Sequence, residues 1–314
     1  MSLDLAVVAG GCAVGFVVGI TGMGGGALMT PMLVFFFNVN PLTAVSSDLV
    51  ASLFMKPVGG FVHLRHGTVH RDLVKYLSLG SVPAAFLGVL LLKLLGRIGP
   101  GVNSVVTVGL GVALLLAVAT MLLKGLFEVR RHAAAVREGT SRKDRADRFA
   151  ARPALTIAIG ALGGLVVGMT SVGSGSLIIV ALLLAYPMLN ARELVGTDLV
   201  QAVPLVASAA LGHVLFGHVA FGLTVSLIVG AVPGAFIGAR VSSRAPQMVV
   251  RRMIAVVLLA SGLKLLGVPT GVTASALVGS LLLGPLAWMV IRRMNGLPGR
   301  WRTERRQAHT GALS

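Results

Sequence analysis

The sequence predicts an all-α polytopic membrane protein: two inverted five-element repeats with Gly-broken half-helices, followed by one extra C-terminal helix. Three observations predict it. Of 314 residues 55% are apolar and only 12% charged, with a mean hydropathy of +0.91, whereas soluble domains carry about one-quarter charged residues. The apolar residues fall in a series of runs of membrane length. The third observation is an internal alignment of the two halves, which pairs Asp48 with Asp198.

The runs, in order, are 3–20, 27–37, 43–62, 73–93, 103–126, 154–170, 176–188, 193–216, 222–241, 250–267 and 272–292. The first has no Lys or Arg ahead of it and no small-residue cleavage site behind it, so it reads as a membrane element rather than a secretory signal. Runs 27–37 and 176–188 are short. At 1.5 Å per residue they reach roughly 16–20 Å, against about 30 Å of hydrocarbon. Each follows a glycine-rich break, Gly24-Gly25-Gly26 and Gly173-Ser174-Gly175, which marks both as half-helices. Runs 43–62 and 193–216 follow Asn40 and Asn190, placed as N-caps, and Asn190 with Glu193 forms a capping-box pattern. The remaining runs are of spanning length.

Asn40, Asp48, His63 and Gly67 align with Asn190, Asp198, His213 and Gly217. The block from Gly80 to Gly88 aligns in the same register with that from Gly230 to Gly238. With one residue of slippage, Gly19 to Gly26 aligns with Gly168 to Gly175. The chain therefore divides into a first membrane repeat (1–126), a basic cytoplasmic linker (127–153), a second, inverted repeat (154–267), an extra transmembrane helix (268–292) and a basic cytoplasmic tail (293–314).

Five elements per repeat is an odd number, which turns the second copy upside down. Positive charge supports that orientation. With the N-terminus outside and the C-terminus cytoplasmic, all 27 Lys and Arg except Lys56, Lys93, Arg97 and Lys264 lie inside. The net charge of +17 is thus read as cytoplasmic loops facing acidic lipid, not as a nucleic-acid surface, because aromatic residues are scarce. Cys12, the single cysteine, excludes a disulfide framework, and no His/Asp/Glu cluster has metal-ligand spacing. No cofactor is expected.

Broken helices at matching points of two repeats point to a binding site. Backbone groups at membrane depth are satisfied only by protein or a wet cavity, and paired half-helix N-termini suit an anion. The candidate substrate-binding residues are Thr21, Gly24, Gly25 and Gly26 of the first break and Thr170, Gly173, Ser174 and Gly175 of the second. Ser47, Thr197 and Gln201 are added as polar neighbours, and Lys56 as the intramembrane cation, with Val206 as its counterpart. Asp48 and Asp198 lie roughly 12 Å beyond their caps. They either carry a coupling proton or cation, or brace the breaks by accepting their amides. Isolated glycines in the other runs are read as close helix packing. His63 and His213 are read as solvated residues at the edges of their spans.

On these blocks the sequence resembles the sulfite exporter family of the TauE/SafE type, also called the toluene-sulfonate uptake permease family. The carriers are Gly19-Ile20-Thr21-Gly22-Met23-Gly24-Gly25-Gly26 with Pro31, the echo from Gly168 to Gly175, and Ser46-Ser47-Asp48 echoed by Gly196-Thr197-Asp198. The likeness runs from about residue 5 to 267. It implies a transporter of small sulfur-containing anions, such as sulfite, sulfoacetate or organosulfonates, in the bacterial cytoplasmic membrane. The sequence departs from that pattern in having Val180 where the first repeat has Pro31, and in its long charged linker, final helix and basic tail.

The expectation is a secondary transporter working by alternating access. Its alternatives are an anion channel and, from another class, a membrane-embedded enzyme, for which the sequence offers only Asp48, Asp198 and Lys56. The expected partners are a small anion and the lipid bilayer, with room for a coupling proton or cation and for a homo-oligomer.

Overall fold

The computed structural model describes residues 3–21, 25–98, 101–138, 151–189, 191–217, 219–241 and 247–294. They form eleven helices and no strand. In chain order these are α1 (Leu5–Thr21), α2 (Gly26–Phe36), α3 (Pro41–Arg65), α4 (Arg71–Ile98), α5 (Val102–Glu138), α6 (Pro153–Thr170), α7 (Leu177–Ala185), α8 (Ala191–Phe216), α9 (Phe221–Val241), α10 (Gln247–Leu265) and α11 (Thr270–Met294). Each apolar run has become one helix. On length and composition alone, five segments among the described residues suffice to cross a membrane: Arg71–Leu95, Asn103–Phe127, Pro153–Thr170, Glu193–Phe216 and Phe221–Val241. The expected half-helices are short, α2 with 11 residues and α7 with 9.

Local chemistry sets several boundaries. Asn40 begins α3, its Oδ1 accepting the Leu42 amide at 3.0 Å and its carbonyl the Ala44 amide at 2.8 Å. Its expected counterpart, Asn190, lies outside the described residues. Helix α6 starts with Pro153 at its first turn, and the Arg152 amide just before it donates to the Tyr186 hydroxyl at 2.9 Å. That hydroxyl also meets Thr156, so the end of α7 is tied to the start of α6. Helix α5 continues to Glu138, well into the segment read as linker, and the rest of that segment up to residue 150 lies outside the described residues.

The packing is reciprocal between the two halves. Helix α1 lies along α9 and α4 along α6, so the first and fourth helices of one half pair with the fourth and first of the other. Helices α3 and α8 pack together, and α5 packs on α10. The aligned glycine blocks are the seams of this exchange. A Cβ on Gly15 or Gly19 would run into the carbonyl of Ala231 or Ala235, and one on Gly230, Gly234 or Gly238 into that of Val8, Cys12 or Phe16. Gly160, Gly164 and Gly168 meet Leu77, Ser81 and Ala85 of α4 in the same way. Only glycine lets the helix backbones come this close, because the two seams are built on a four-residue spacing that returns to one helix face.

Outward faces are apolar. Leu162, Leu211, Val257 and Leu282 are all half or more exposed or nearly so, which is the expected surface when the solvent is hydrocarbon. The interior is where the polar residues are. Thr30, Ser46, Ser47, Asp48, Thr197, Gln201 and His213 are each wholly buried.

Candidate functional site

The polar interior gathers around the two breaks, which the fold brings into direct contact. Helix α6 ends at Thr170, and Ser171 takes a left-handed conformation (φ 58°) that turns the chain out of the helix. Gly173 and Gly175 follow with φ of 131° and 90°, values an L side chain rarely adopts. The Gly173 carbonyl then accepts the Leu177 amide at 2.9 Å and starts α7. In the first break the described glycines serve a different purpose. Gly25 is in right-handed helical conformation, and Gly26 is needed for contact, since its Cα lies where a Cβ would strike the Ser171 carbonyl. Gly24 lies outside the described residues.

Asp48 holds this contact. Its Oδ2 accepts Thr30 Oγ1 of α2 at 2.7 Å and Ser171 Oγ of the opposite break at 2.9 Å, and its Oδ1 accepts Ser52 Oγ at 3.2 Å. One carboxylate thus ties α3, α2 and the end of α6 together. Asp198 accepts the backbone N–H of Gly175 within the second break. Both acids therefore contact break residues, Asp48 chiefly through hydroxyls and Asp198 through an amide.

Lys56 crosses between the halves. From α3 its ammonium donates to Ser174 Oγ in the second break, and it stands within electrostatic reach of Asp198 and Asp48. It also lines a small cavity with Val18 of α1, Gly25, Val58 of α3, Leu199 of α8 and Ala235 of α9. Gly25, Lys56 and Ser174 are thus brought to one place, with apolar side chains around them.

The other expected site residues bond to nearby backbone or, for Gln201, to Ser81. Thr21 Oγ1 bonds back to the Val17 carbonyl at 2.9 Å, and Thr170 Oγ1 to that of Val166 at 2.7 Å. Ser47 Oγ accepts the Ala220 amide at 3.4 Å, and Thr197 Oγ1 accepts the His70 amide at 3.1 Å. Ala220 and His70 are matching residues just before α9 and α4, so this aligned pair of hydroxyls secures equivalent helix starts. Gln201 Nε2 donates to Ser81 Oγ of α4 at 2.7 Å.

One reading requires correction. His213 is not a solvated edge residue; it is wholly buried. Its Nε2 donates to the Gly168 carbonyl at 2.8 Å, and its Nδ1 lies 2.8 Å from Ser46 Oγ. Because α6 stops at Thr170, the Gly168 carbonyl lacks the next turn's amide, and the buried His213 supplies the donor instead. His63, its counterpart, is half-buried and meets Thr68 Oγ1 at 2.9 Å. Ser171, Thr30, Ser52 and His213 were all missed as parts of this centre.

Among the described residues no group of three His, Cys, Asp or Glu is placed to hold a metal ion. The model of the sulfite exporter TauE/SafE family matches residues 7–265, which takes in both breaks. The chain belongs to the TauE/SafE sulfite exporter family. Among TauE/SafE-like relatives, the probable membrane transporter protein YjnA of Bacillus subtilis (strain 168) is 35% identical over 269 residues, covering 84% of this chain and 100% of that protein. The probable membrane transporter protein YdhB of the same organism is 25% identical, covering 80% of this chain and 96% of that protein. No solved structure matches this TauE/SafE chain. Family membership and the apolar helices make it a multi-pass membrane transporter.

Proposed function

We propose that the protein is a secondary transporter that moves a small sulfur-containing anion, of the sulfite, sulfoacetate or organosulfonate class, across the cytoplasmic membrane by alternating access. The observation that carries the reading is the reach of Lys56, from the first repeat, into the second break at Ser174, beside a cavity that Gly25 also lines. An ammonium, a hydroxyl and glycine backbone suit an oxyanion. The binding centre comprises Gly25, Gly26, Lys56, Gly173, Ser174 and Gly175. Thr21, Thr170, Ser47, Thr197 and Gln201 support it as struts of the surrounding backbone.

The reciprocal pairing of α1 with α9 and α4 with α6 supports a two-fold relation between the repeats, and the charge distribution supports its inverted form. An exchange of roles between repeats would open the centre alternately to the two sides. The N-terminus is then outside and the tail inside. The test is counterflow: proteoliposomes loaded with unlabelled sulfite or ethanesulfonate should take up labelled substrate faster than empty ones. Uptake indifferent to internal substrate would be that of a channel.

A further inference from the structure

Asp48 and Asp198 hold matching positions in the two repeats, yet their surroundings differ in kind. Asp48 receives hydroxyls from Thr30, Ser52 and Ser171. The residues aligned with these three are Ile179, Ala202 and Gly22, none of which carries a side-chain donor. Asp198 is 1% exposed, and its Oδ1 has no hydrogen-bond partner. One turn further along α8, on the same face, Gln201 spends its amide N–H on Ser81 and leaves its own Oε1 without a partner. Two buried acceptors without a donor from the protein, one turn apart, are a costly arrangement.

A single added proton on Asp198 Oδ1 would turn that acceptor into a donor, and Gln201 Oε1, one turn along the same face, is an acceptor still open. A metal cation fits less well: it requires a shell of several oxygens, and the charges facing Asp198 are both positive, Lys56 from α3 and Lys124 from α5. Helices α6 and α7, which also pack on α8, carry no ionisable side chain, and α4 carries its charges toward its ends. Asp48, on α3, has its own three donors.

We propose that Asp198 and Gln201 form a proton-binding site in the second repeat, loaded when an anion engages Lys56, so that anion and proton travel together. This rests on the reading of Lys56 as the anion's partner. In the empty protein the Lys56 charge compensates the Asp198 carboxylate. An anion beside Lys56 competes for that charge and is repelled by the carboxylate. Uptake of one proton, from water on the side to which the centre is open, removes the repulsion. The carboxylate becomes a carboxylic acid, no bond to the anion forms, and no electrons move. Asp48 is the static brace and Asp198 the working acid.

Infrared difference spectroscopy on the full-length protein in liposomes tests this, with ethanesulfonate as probe because it does not titrate near neutral pH. Adding the probe to wild type should produce a protonated-carboxyl absorption. The absorption should be lost in Asp198→Asn and moved to higher frequency in Gln201→Leu, where the acid loses its acceptor. An inward proton gradient should speed ethanesulfonate uptake several-fold in wild type and leave Asp198→Asn unaffected. An absorption that persists in Asp198→Asn overturns the proposal. So does bound probe with no absorption, the result expected if the Gln201 amide turns its N–H toward a permanently ionised Asp198. If ethanesulfonate does not bind, the transport reading fails for that substrate, and acid titration of the ligand-free protein decides the proton site. A carboxyl band removed by Asp198→Asn then upholds it, and the lack of one overturns it.

Discussion

Ser171 donates a 2.9 Å hydrogen bond to Asp48 across 123 residues of chain, and that bond joins the broken helix of the second repeat to the third helix of the first. Thr30 adds the half-helix α2 to the same carboxylate at 2.7 Å. Both breaks thus hang from one buried acid. Thr30→Val removes a donor while keeping side-chain volume, and should lower stability by about 1.5–3 kcal/mol, the range for hydrogen bonds to charged groups. Thermal unfolding in detergent would measure it. Ser52→Ala, which removes a longer bond of 3.2 Å, should cost less.

Gly25 and Gly26 are neighbours with different tolerances. A Cβ on Gly25 meets the flexible end of Met55, which can move, whereas one on Gly26 meets the backbone of Ser171, which cannot. Gly25→Val should therefore fold, insert and lose uptake, because it fills the cavity beside Lys56. Gly26→Val should fail to accumulate in the membrane. Gly175→Val is a poorer test of the site, since its φ of 90° imposes a strain of about 1–3 kcal/mol on any branched residue. Normal uptake by Gly25→Val would remove this cavity from the pathway.

His213 shows where reading the chain as text went astray, and why. Its position near the end of an apolar run suggested a solvated edge, but α6 stops short beside it and exposes the Gly168 carbonyl. Nothing local to His213 reveals that carbonyl, because the contact spans two elements. The helices themselves were legible, since hydropathy marks where each lies in a bilayer, and so were the glycine seams, since close packing must repeat on one face. The donors around Asp48 were legible only in the differences between halves. Where the first repeat has Thr30 and Ser52, the second has Ile179 and Ala202. The breaks lie where the two halves are alike, and the asymmetric acids where they differ.

Replacing His213 follows from the same contact. His213→Leu leaves the Gly168 carbonyl without its buried donor, and should destabilise by about 1–3 kcal/mol. His213→Gln keeps an N–H on a side chain of similar reach and should recover part of the loss. Thermal stability of the two variants, compared in one lipid, separates a hydrogen-bonding role from mere volume. Equal losses would assign His213 to packing.

The inverted arrangement can be tested chemically, because Cys12 is the single native cysteine. In a Cys12→Ala background, Gly139→Cys in the linker and Ser314→Cys in the tail should react with a membrane-impermeant maleimide in inside-out vesicles and stay unlabelled in right-side-out ones. Ser2→Cys should give the opposite pattern. N-terminus and linker labelled on the same side would mean an even number of crossings in the first repeat and would rule out the inverted repeat.

Lys56 has two tasks that a single substitution cannot separate. It reaches Ser174 at the cavity, and it compensates Asp198. Lys56→Met removes both, and leaving a buried carboxylate without its cation should cost up to about 3–5 kcal/mol. Loss of uptake in that variant is therefore ambiguous. The double variant Lys56→Met with Asp198→Asn removes the uncompensated charge as well, and should recover most of the thermal stability. Uptake of ethanesulfonate should stay absent, because the cation that attracts the anion is still missing. Recovery of uptake together with stability would mean that Lys56 serves only to neutralise Asp198, and would place the anion's partner elsewhere.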